Sequence, residues 1–406
     1  MTLSEFVRKA SRRIWTTLVS FPYEIRKNRL RKAYLSRQFL SEKKRVEPAN
    51  QQNIELGRRL RDGILQQYDS IFRSKPYRIL FHIPPSGVGK VWFHDLIMTL
   101  QHTGIPCATV NWNDPEFKSK WTDFQPNVFI SMDHPLVLKS LDLDFINSYK
   151  RQSGCLRLFT PNNKKYYPKP RMSQEDIWRL SLAKSGRSLD AFFCMFEEDY
   201  FNLFWGEWKE LGFKYLSLPH GCNPIVHYPR SADRDLDYFM ATSCGPERIN
   251  LTLEYLTPVF QKYDGLWAGP DWNFGIGPVD VQTMPDYYAR ARIVPNPLAR
   301  FLIQYPAEIT ERAFSATACG VFQITDWTPV TERFYAQDEM ITVKSSAEFL
   351  ERFDYYANRP DERDLIIRNG LKRVFAEHTY FHRLDRLVGF LDQNPLLFKE
   401  GPGLVL

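Results

Sequence analysis

The chain has 406 residues, of which 43% are hydrophobic and 15% aromatic; this composition excludes disorder over most of the length. Its six cysteines form no Cys-x-x-Cys pair, which excludes a zinc ribbon or a disulfide framework and favours a reducing, cytoplasmic compartment. Residues 1–50 carry a net charge of +9 and the remainder −2, so the basic charge belongs to an N-terminal arm and does not favour a nucleic-acid partner.

The basic arm, residues 1–75, is predicted to be helical. It contains neither a secretory signal nor the roughly 18 consecutive apolar residues of a transmembrane helix. Residues 1–21 place an apolar stripe opposite basic side chains on a helical wheel, and Pro22 ends the pattern. We expect this segment to lie in the plane of an anionic membrane, with residues 1–45 as the contact and a peripheral location on the inner face. The alternative is that the stripe packs on the protein's own body or on a partner.

Residues 76–228 alternate short apolar runs with helical stretches, which predicts a doubly wound parallel sheet. A helix over 51–73 precedes this region, and a helix over 90–102 follows its first strand. The expected strands begin at Tyr77, Cys107, Asn127, Cys155, Ala191 and Tyr215.

The same alternation recurs in residues 229–380, and residues 381–406 are expected to form a crossing helix and tail. Strands are predicted at 238–242, 265–268, 291–294 and 321–324, and helices at 246–262, 308–318 and 360–395. The predicted fold class is therefore α/β, with two Rossmann-like doubly wound domains and an N-terminal helical extension. Ligands of such sheets bind at the carboxyl ends of the strands.

The predicted helix 308–318 carries the strongest candidate site. Glu308, Glu311, Arg312 and Ser315 share one face of it, and small or apolar residues occupy another. A polar face at a helix N-terminus suits a nucleotide, because free N–H groups and an arginine favour phosphate oxygens. The alternative is an ordinary solvated amphipathic helix.

The segment from Arg312 to Gly320 reads Arg-x-Phe-x-Ala-x-Ala-Cys-Gly, and it resembles the CgeB-like (spore maturation protein) glycosyltransferases, relatives of the Glu-x7-Glu glycosyltransferases. The resemblance continues downstream to His378-Thr379-Tyr380-Phe381-His382-Arg383, which is similar to that family's terminal motif. Upstream, Leu218-Pro219-His220-Gly221-Cys222-Asn223-Pro224 looks like its interdomain linker. The resemblance covers roughly residues 180–395 in the same order.

This resemblance implies a GT-B fold and transfer of a sugar from a nucleotide-sugar, with a UDP-sugar as the first expectation and no cofactor. It implies a diphosphate contact for Arg248, which follows Gly245 after a strand; Gly269 ends the next strand, where a small residue lets a ligand approach. Ser315 stands where the family usually carries an acidic residue. The sequence therefore leaves open a catalytically inactive nucleotide-sugar-binding module, and also a membrane-docked scaffold.

The acceptor is expected on the first domain, near the strand-to-helix turn that contains Gly87 and Gly89. The turn lacks the residues of a P-loop. His94 and His134 lie in this region and are candidate catalytic bases; a structural role is the alternative for each. A glycan, a lipid-linked group or a protein would serve as acceptor.

Two Asp-x-Asp triplets, 142–144 and 235–237, match a metal-binding pattern of other glycosyltransferases. The first is predicted in a helical connection and the second in the interdomain linker, and the sequence has no clustered His or Cys ligands. We therefore expect no metal site.

Overall fold

The computed structural model describes residues 22–36, 46–84, 88–161 and 173–399. The in-plane helix predicted for residues 1–21, the glycine at Gly87 and the end of the C-terminal tail lie outside the described residues. No described helix is both long and apolar enough to cross a membrane.

The chain divides into two compact units. The five-stranded unit comprises the described residues of Met1–Arg58, Tyr228–Ile303 and Ala316–Lys372, and the six-stranded unit those of Arg59–His227, Gln304–Ser315 and Arg373–Leu406. This division differs from the sequence-based boundaries at several places, and the described part of the basic arm is itself split between the two units after Arg58. Residues 304–315, which include Glu308 and Glu311, and residues 373–380 belong to the six-stranded unit.

The six-stranded unit is built on a parallel sheet with the order β2-β1-β3-β4-β5-β6. Its strands are β1 Ile79–Ile83, β2 Cys107–Asn111, β3 Val128–Asp133, β4 Leu156–Pro161, β5 Ala191–Cys194 and β6 Lys214–Ser217. β1, β3, β4 and β5 are almost entirely buried, as expected of strands covered on both faces by helices. All six predicted strands are confirmed within two residues at each end.

The five-stranded unit holds a second parallel sheet with the order β11-β10-β9-β7-β8. Its strands are β7 Leu236–Ala241, β8 Gly265–Ala268, β9 Ala291–Asn296, β10 Phe322–Asp326 and β11 Ile341–Val343. The sequence predicted the first four. It did not predict β11, whose three residues are too few to show a periodicity.

The helices alternate with these strands, as a doubly wound fold requires. They are α1 (22–36), α2 Gln51–Tyr68, α3 Val88–His102, α4 Phe117–Phe124, α5 Pro135–Ser140, α6 Leu143–Ser153, α7 Gln174–Lys184, α8 Glu198–Phe204, α9 Gly206–Glu210, α10 Pro246–Tyr255, α11 Thr257–Lys262, α12 Met284–Arg290, α13 Arg300–Gln304, α14 Glu311–Ala318, α15 Pro329–Phe334, α16 Ser346–Ala357, α17 Pro360–Glu377 and α18 Tyr380–Gln393. A 3-10 helix, Pro395–Phe398, follows.

Two long predicted helices are each divided in the structure. The helix expected over 246–262 breaks at Leu256, and the proline of α11 stands in its first turn, where its missing N–H group is harmless. The helix expected over 360–395 breaks before Thr379, whose side chain accepts a hydrogen bond from the N–H of His382 and caps α18. Two other predicted helices are shorter: α2 ends at Tyr68, and α14 begins at Glu311.

Candidate functional site

Two of the motifs quoted from the sequence meet in the six-stranded unit. Cys222 donates its backbone N–H to the carbonyl of His378 at 2.9 Å, and Tyr380 donates to the carbonyl of Cys222 at 2.8 Å. Gly221 lies between them, and a Cβ atom at this position would stand 2.9 Å from the carbonyl oxygen of His378. The segment after β6 therefore runs against the start of α18, and glycine is required at the contact.

A buried arginine fixes this junction. Arg383, only 2% exposed, donates to the carbonyl oxygens of Pro219 at 2.9 Å and of His220 at 2.9 Å. It also donates to the carbonyl of Glu377 at 3.1 Å. Hydrogen bonds from a charged group are stronger than neutral ones, so the guanidinium holds the backbone of His220 in place.

His220 faces the first carboxyl group predicted for the donor site. Its Nε2 atom lies 4.0 Å from Oε2 of Glu308. Burial raises the pKa of Glu308 to about 8; burial, and then the charge of Arg383, lowers the pKa of His220 to about 4. At neutral pH the structure therefore favours a protonated, uncharged Glu308 beside a neutral imidazole.

Two further acids lie close together in the same unit. Asp95, on α3, accepts a hydrogen bond from Nδ2 of Asn223 at 2.8 Å, and burial raises its pKa to about 6. Glu311 has its pKa raised to about 8, mainly by burial and further by the charge of Asp95, while Arg312 opposes the shift. Tyr380 is fully buried, and burial together with the charges of Glu311 and Asp95 raises its pKa well above the usual value.

We refer to Asp95, Glu308 and Glu311, with His220 and Tyr380, as the acid cluster. Four buried polar atoms of this cluster have no hydrogen-bond partner among the described residues: Oδ2 of Asp95, Oε2 of Glu308, Nδ1 of His220 and the hydroxyl of Tyr380. Such atoms are rare in folded proteins unless a ligand or water completes them. Neighbouring carboxyl groups with raised pKa values, such as Asp95 and Glu311, are also typical of functional sites.

The other residues of the predicted polar face lie on α14 itself. Glu311 opens the helix, Arg312 is half-buried and Ser315 is 6% exposed. Glu308 precedes the first helical residue by three positions, so the prediction that it shares a helix face with Glu311, Arg312 and Ser315 is wrong.

In the five-stranded unit, Gly245 and Gly269 follow the neighbouring strands β7 and β8. Gly245 has an extended backbone at the N-cap of α10, with open space where a Cβ would stand. Gly269 has φ +138°, and a Cβ there would lie 1.9 Å from the carbonyl oxygen of Thr242, so the chain's own packing requires this glycine. Arg248 is half-buried in the first turn of α10.

The two histidines proposed as bases have different surroundings. His134 is the N-cap of α5, and its Nδ1 atom accepts the N–H of Leu136 at 3.2 Å; its ring stacks against Trp112, with centroids 6.1 Å apart. His94 is exposed on α3. The backbone of Gly89 lies in the first turn of α3.

The Asp-x-Asp triplets are engaged in structural contacts. Asp142 caps α6 and pairs with Lys118 at 2.6 Å, as the predicted helical connection suggests. The second triplet was wrongly placed in a linker: Asp237 lies within β7 and pairs with Arg292, and Asp235 binds Arg290 through two contacts of 2.8 and 2.7 Å. Over residues 22–36, 46–84, 88–161 and 173–399, no group of three or more His, Cys, Asp or Glu side chains is arranged to hold a metal ion.

Four residues of this site were not predicted from the sequence: Asp95, His220, Asn223 and Tyr380. Three of them, His220, Asn223 and Tyr380, lie in the quoted motifs 218–224 and 378–383. The polar residues near Gly221 in the first motif could have indicated the site. Asp95 had no signal, because an acidic residue on a helix is ordinarily exposed.

Residues 252–389 match the protein family described as Glycosyl transferase-like. No curated protein sequence matches the chain. Among solved structures the chain is similar to sucrose-phosphate synthase from Thermosynechococcus elongatus, with a TM-score of 0.55, 13% identity and coverage of 78% of this chain and 98% of that chain. It is also similar to Anabaena HepE in complex with UDP-glucose, with a TM-score of 0.56, 10% identity and coverage of 78% and 100%.

Similarity at such low identity establishes the fold alone. The predicted α/β class, with two parallel-sheet Rossmann-like domains and an N-terminal helical extension, is confirmed, and the fold is that of GT-B glycosyltransferases. The finer resemblance to the CgeB-like group stays a prediction.

Proposed function

We propose that this protein is a glycosyltransferase that moves a sugar from a nucleotide-sugar, with a UDP-sugar as the first expectation. The observation that carries the proposal is the acid cluster. In it, buried carboxyl oxygens of Asp95 and Glu308 have no hydrogen-bond partner among the described residues, in a protein with a GT-B fold. The match of residues 252–389 to a glycosyltransferase-like family supports it. The UDP-glucose complex of a protein with a similar fold supports the choice of UDP.

The transfer breaks the bond between the anomeric carbon and a phosphate oxygen and forms a bond from that carbon to an acceptor oxygen. The leaving diphosphate keeps the bonding electrons, so the site must stabilise negative charge. We assign this role to Arg248, Arg312 and the N-terminus of α10 after Gly245. The proposed reaction uses no metal and no cofactor beyond the donor itself.

Glu308, Glu311 and Ser315 are assigned to the donor's hydroxyl groups. Gly269 is assigned to a close approach of the donor to the backbone after β8. A protonated carboxyl group both donates and accepts a hydrogen bond, which suits sugar or ribose hydroxyls. Since burial raises the pKa of both glutamates to about 8, these residues can lie near a diphosphate without strong repulsion.

The acceptor hydroxyl must lose a proton during transfer. His94 is a candidate base, and the neutral His220 beside Glu308 joins it because of its position. His134 is also a candidate, but its Nδ1 atom would first have to release the cap of α5. Gly87 and Gly89 are proposed to face the acceptor, for which a glycan, a lipid-linked group or a protein is expected. We place the protein in the cytoplasm, at the inner membrane face, with residues 1–45 contacting anionic lipid.

Two rival functions are an inactive nucleotide-sugar-binding module and a membrane-docked scaffold. The test begins with thermal shifts of the full chain against a panel of nucleotide sugars, because a ligand that binds the folded state stabilises it. Turnover of the stabilising donor is then measured in the wild type, Glu308→Gln and Glu311→Gln. The exposed Glu351→Gln is the matched control.

We expect donor turnover in the wild type and the control, and strong loss in the two cluster variants. Donor binding without turnover would favour the inactive module. A chain that binds no nucleotide sugar would contradict the proposal.

A further inference from the structure

Helix α1 contacts the two segments of the five-stranded unit to which donor contacts are assigned, one after β7 and one after β8. Tyr23 forms a hydrogen bond with Sγ of Cys244 at 3.1 Å, and Arg26 donates to Oδ1 of Asn250 at 2.6 Å. These partners flank Gly245 and Arg248 in sequence. Helix α1 therefore contacts the chain on both sides of Gly245 and Arg248.

The same helix also contacts β8 and the chain that follows it. The hydroxyl of Tyr34 accepts the backbone N–H of Trp267 at 3.3 Å, and its ring packs on Phe274, with centroids 4.9 Å apart. Asn28 accepts from the side chain of Asn273 at 3.1 Å. Leu30 and Tyr34 are buried, 0% and 4% exposed, so this inward face is a packed contact.

The opposite face of α1 is exposed and carries both basic and apolar side chains. At 100° per residue, Ile25, Arg29, Lys32 and Leu35 point away from Leu30 and Tyr34. Ile25 is 53% and Leu35 38% exposed. Cationic side chains between exposed apolar ones suit an anionic lipid surface, and the sequence on both sides of α1 is basic as well.

An open groove beside this face adds to its basic character. It has a volume of about 560 Å³ and contains Arg26, Arg29 and Arg300 together with Glu247 and Glu254. Arg300 pairs with Glu254 at 2.8 Å, whereas no described residue pairs with Arg29. The groove leaves Arg29 available for a lipid phosphate.

We propose that α1 couples an anionic lipid surface to the donor loops: its outward face binds the lipid, and its inward face positions residues 242–250 and 267–277. An isolated helix of about 15 residues is marginal in water, so a surface that binds the outward face stabilises α1 and, through it, both loops. Thermodynamic linkage is reciprocal, so the lipid raises the affinity for the donor by the same factor as the donor raises the affinity for the lipid. This coupling to donor rests on the proposed function; the coupling to the loops does not.

The first experiment uses hydrogen exchange of the full chain without nucleotide. Vesicles of phosphatidylcholine with phosphatidylglycerol should slow exchange in residues 242–250 and 267–277, and vesicles of phosphatidylcholine alone should not. The double variant Arg29→Glu/Lys32→Glu should lose both vesicle binding and this protection. Tyr34→Phe should keep vesicle binding but show faster exchange of 267–277.

Calorimetry of UDP then tests the coupling to the donor. Anionic vesicles should tighten UDP binding by roughly threefold to tenfold in the wild type, with no gain in the Arg29→Glu/Lys32→Glu variant, whose affinity without vesicles stays that of the wild type. Unchanged exchange of both loops on anionic vesicles would overturn the inference. Absent UDP binding with slowed exchange would contradict the proposed function alone.

Discussion

Oε2 of Glu308 lies 4.0 Å from Nε2 of His220, within ion-pair distance, yet burial favours the uncharged form of both groups. A carboxylate in this position would need a charged partner or a ligand to offset its desolvation. At neutral pH, burial therefore favours a contact between two uncharged groups over an ion pair.

Glu308→Gln should stabilise the protein at high pH. The folded-state pKa of Glu308 is raised from 4.5 to about 8, so the folded state holds the proton more tightly and stability falls as pH rises through this window. Glutamine carries no such proton. We expect a gain of at least about 1.4 kcal/mol, the value of one pKa unit, at about pH 9 relative to about pH 5.

Thermal unfolding at the two pH values measures this difference. Glu351→Gln, at an exposed position, should show no pH-dependent gain. An equal effect of Glu308→Gln at both pH values would mean that Glu308 is charged in the folded protein throughout.

Gly221→Ala should destabilise the six-stranded unit. The added Cβ would stand 2.9 Å from the carbonyl oxygen of His378 and 3.1 Å from the carbonyl carbon of Thr379, and backbone atoms yield little. We expect a loss of about 1–3 kcal/mol, the usual range for overpacking. Gly206→Ala, where a Cβ would meet nothing within 4 Å, is the control and should leave stability nearly unchanged in urea titrations.

Arg248→Ala and Arg312→Ala should each weaken UDP binding by roughly tenfold to a hundredfold. The reason is the loss of a charge-assisted hydrogen bond to phosphate, about 1.5–3 kcal/mol. Calorimetry of the full chain gives the affinities, and the exposed Arg333→Ala is the control. Wild-type affinity in either variant would remove that arginine from the proposed site.

Sugar transfer should persist in EDTA. The acids of the two Asp-x-Asp triplets are engaged by arginine and lysine side chains or by helix capping, which leaves the diphosphate to be stabilised by arginine and helix N-termini in the proposal. Transfer rates with and without chelator check this. A loss in EDTA that manganese restores would show a metal-dependent reaction.

The sequence predicted the fold well because its signals are local. Ten strands were found from short apolar runs, since strands buried on both faces have nearly continuous hydrophobic sequence. Helix ends were less accurate: the breaks at Leu256 and before Thr379 depend on a first-turn proline and on a capping side chain, which periodicity does not report.

The candidate site was only partly predictable, since it depends on contacts far apart in the chain. Glu308 and Glu311 were identified, but their neutral character arises from burial that no local pattern reveals. Asp95 lies close enough to Glu311 to raise its pKa, and it accepts a hydrogen bond from Asn223, 128 positions away. The role of Gly221 likewise appears only when the segment after β6 meets α18.

Two substitutions at His134 distinguish a role as catalytic base from a role as helix cap. Its Nδ1 atom accepts the N–H of Leu136, so a neutral imidazole in this position carries its proton on Nε2, and Nε2 then has no lone pair with which to accept another. A base at Nε2 would first have to give up the cap of α5.

Asparagine caps helices well and alanine does not. His134→Asn should therefore keep both stability and sugar transfer, whereas His134→Ala should lose about 1 kcal/mol of stability. Chemical denaturation and transfer rates of the two variants, side by side, test both roles. If His134→Asn is as stable as the wild type but inactive, His134 is the base and the cap is incidental.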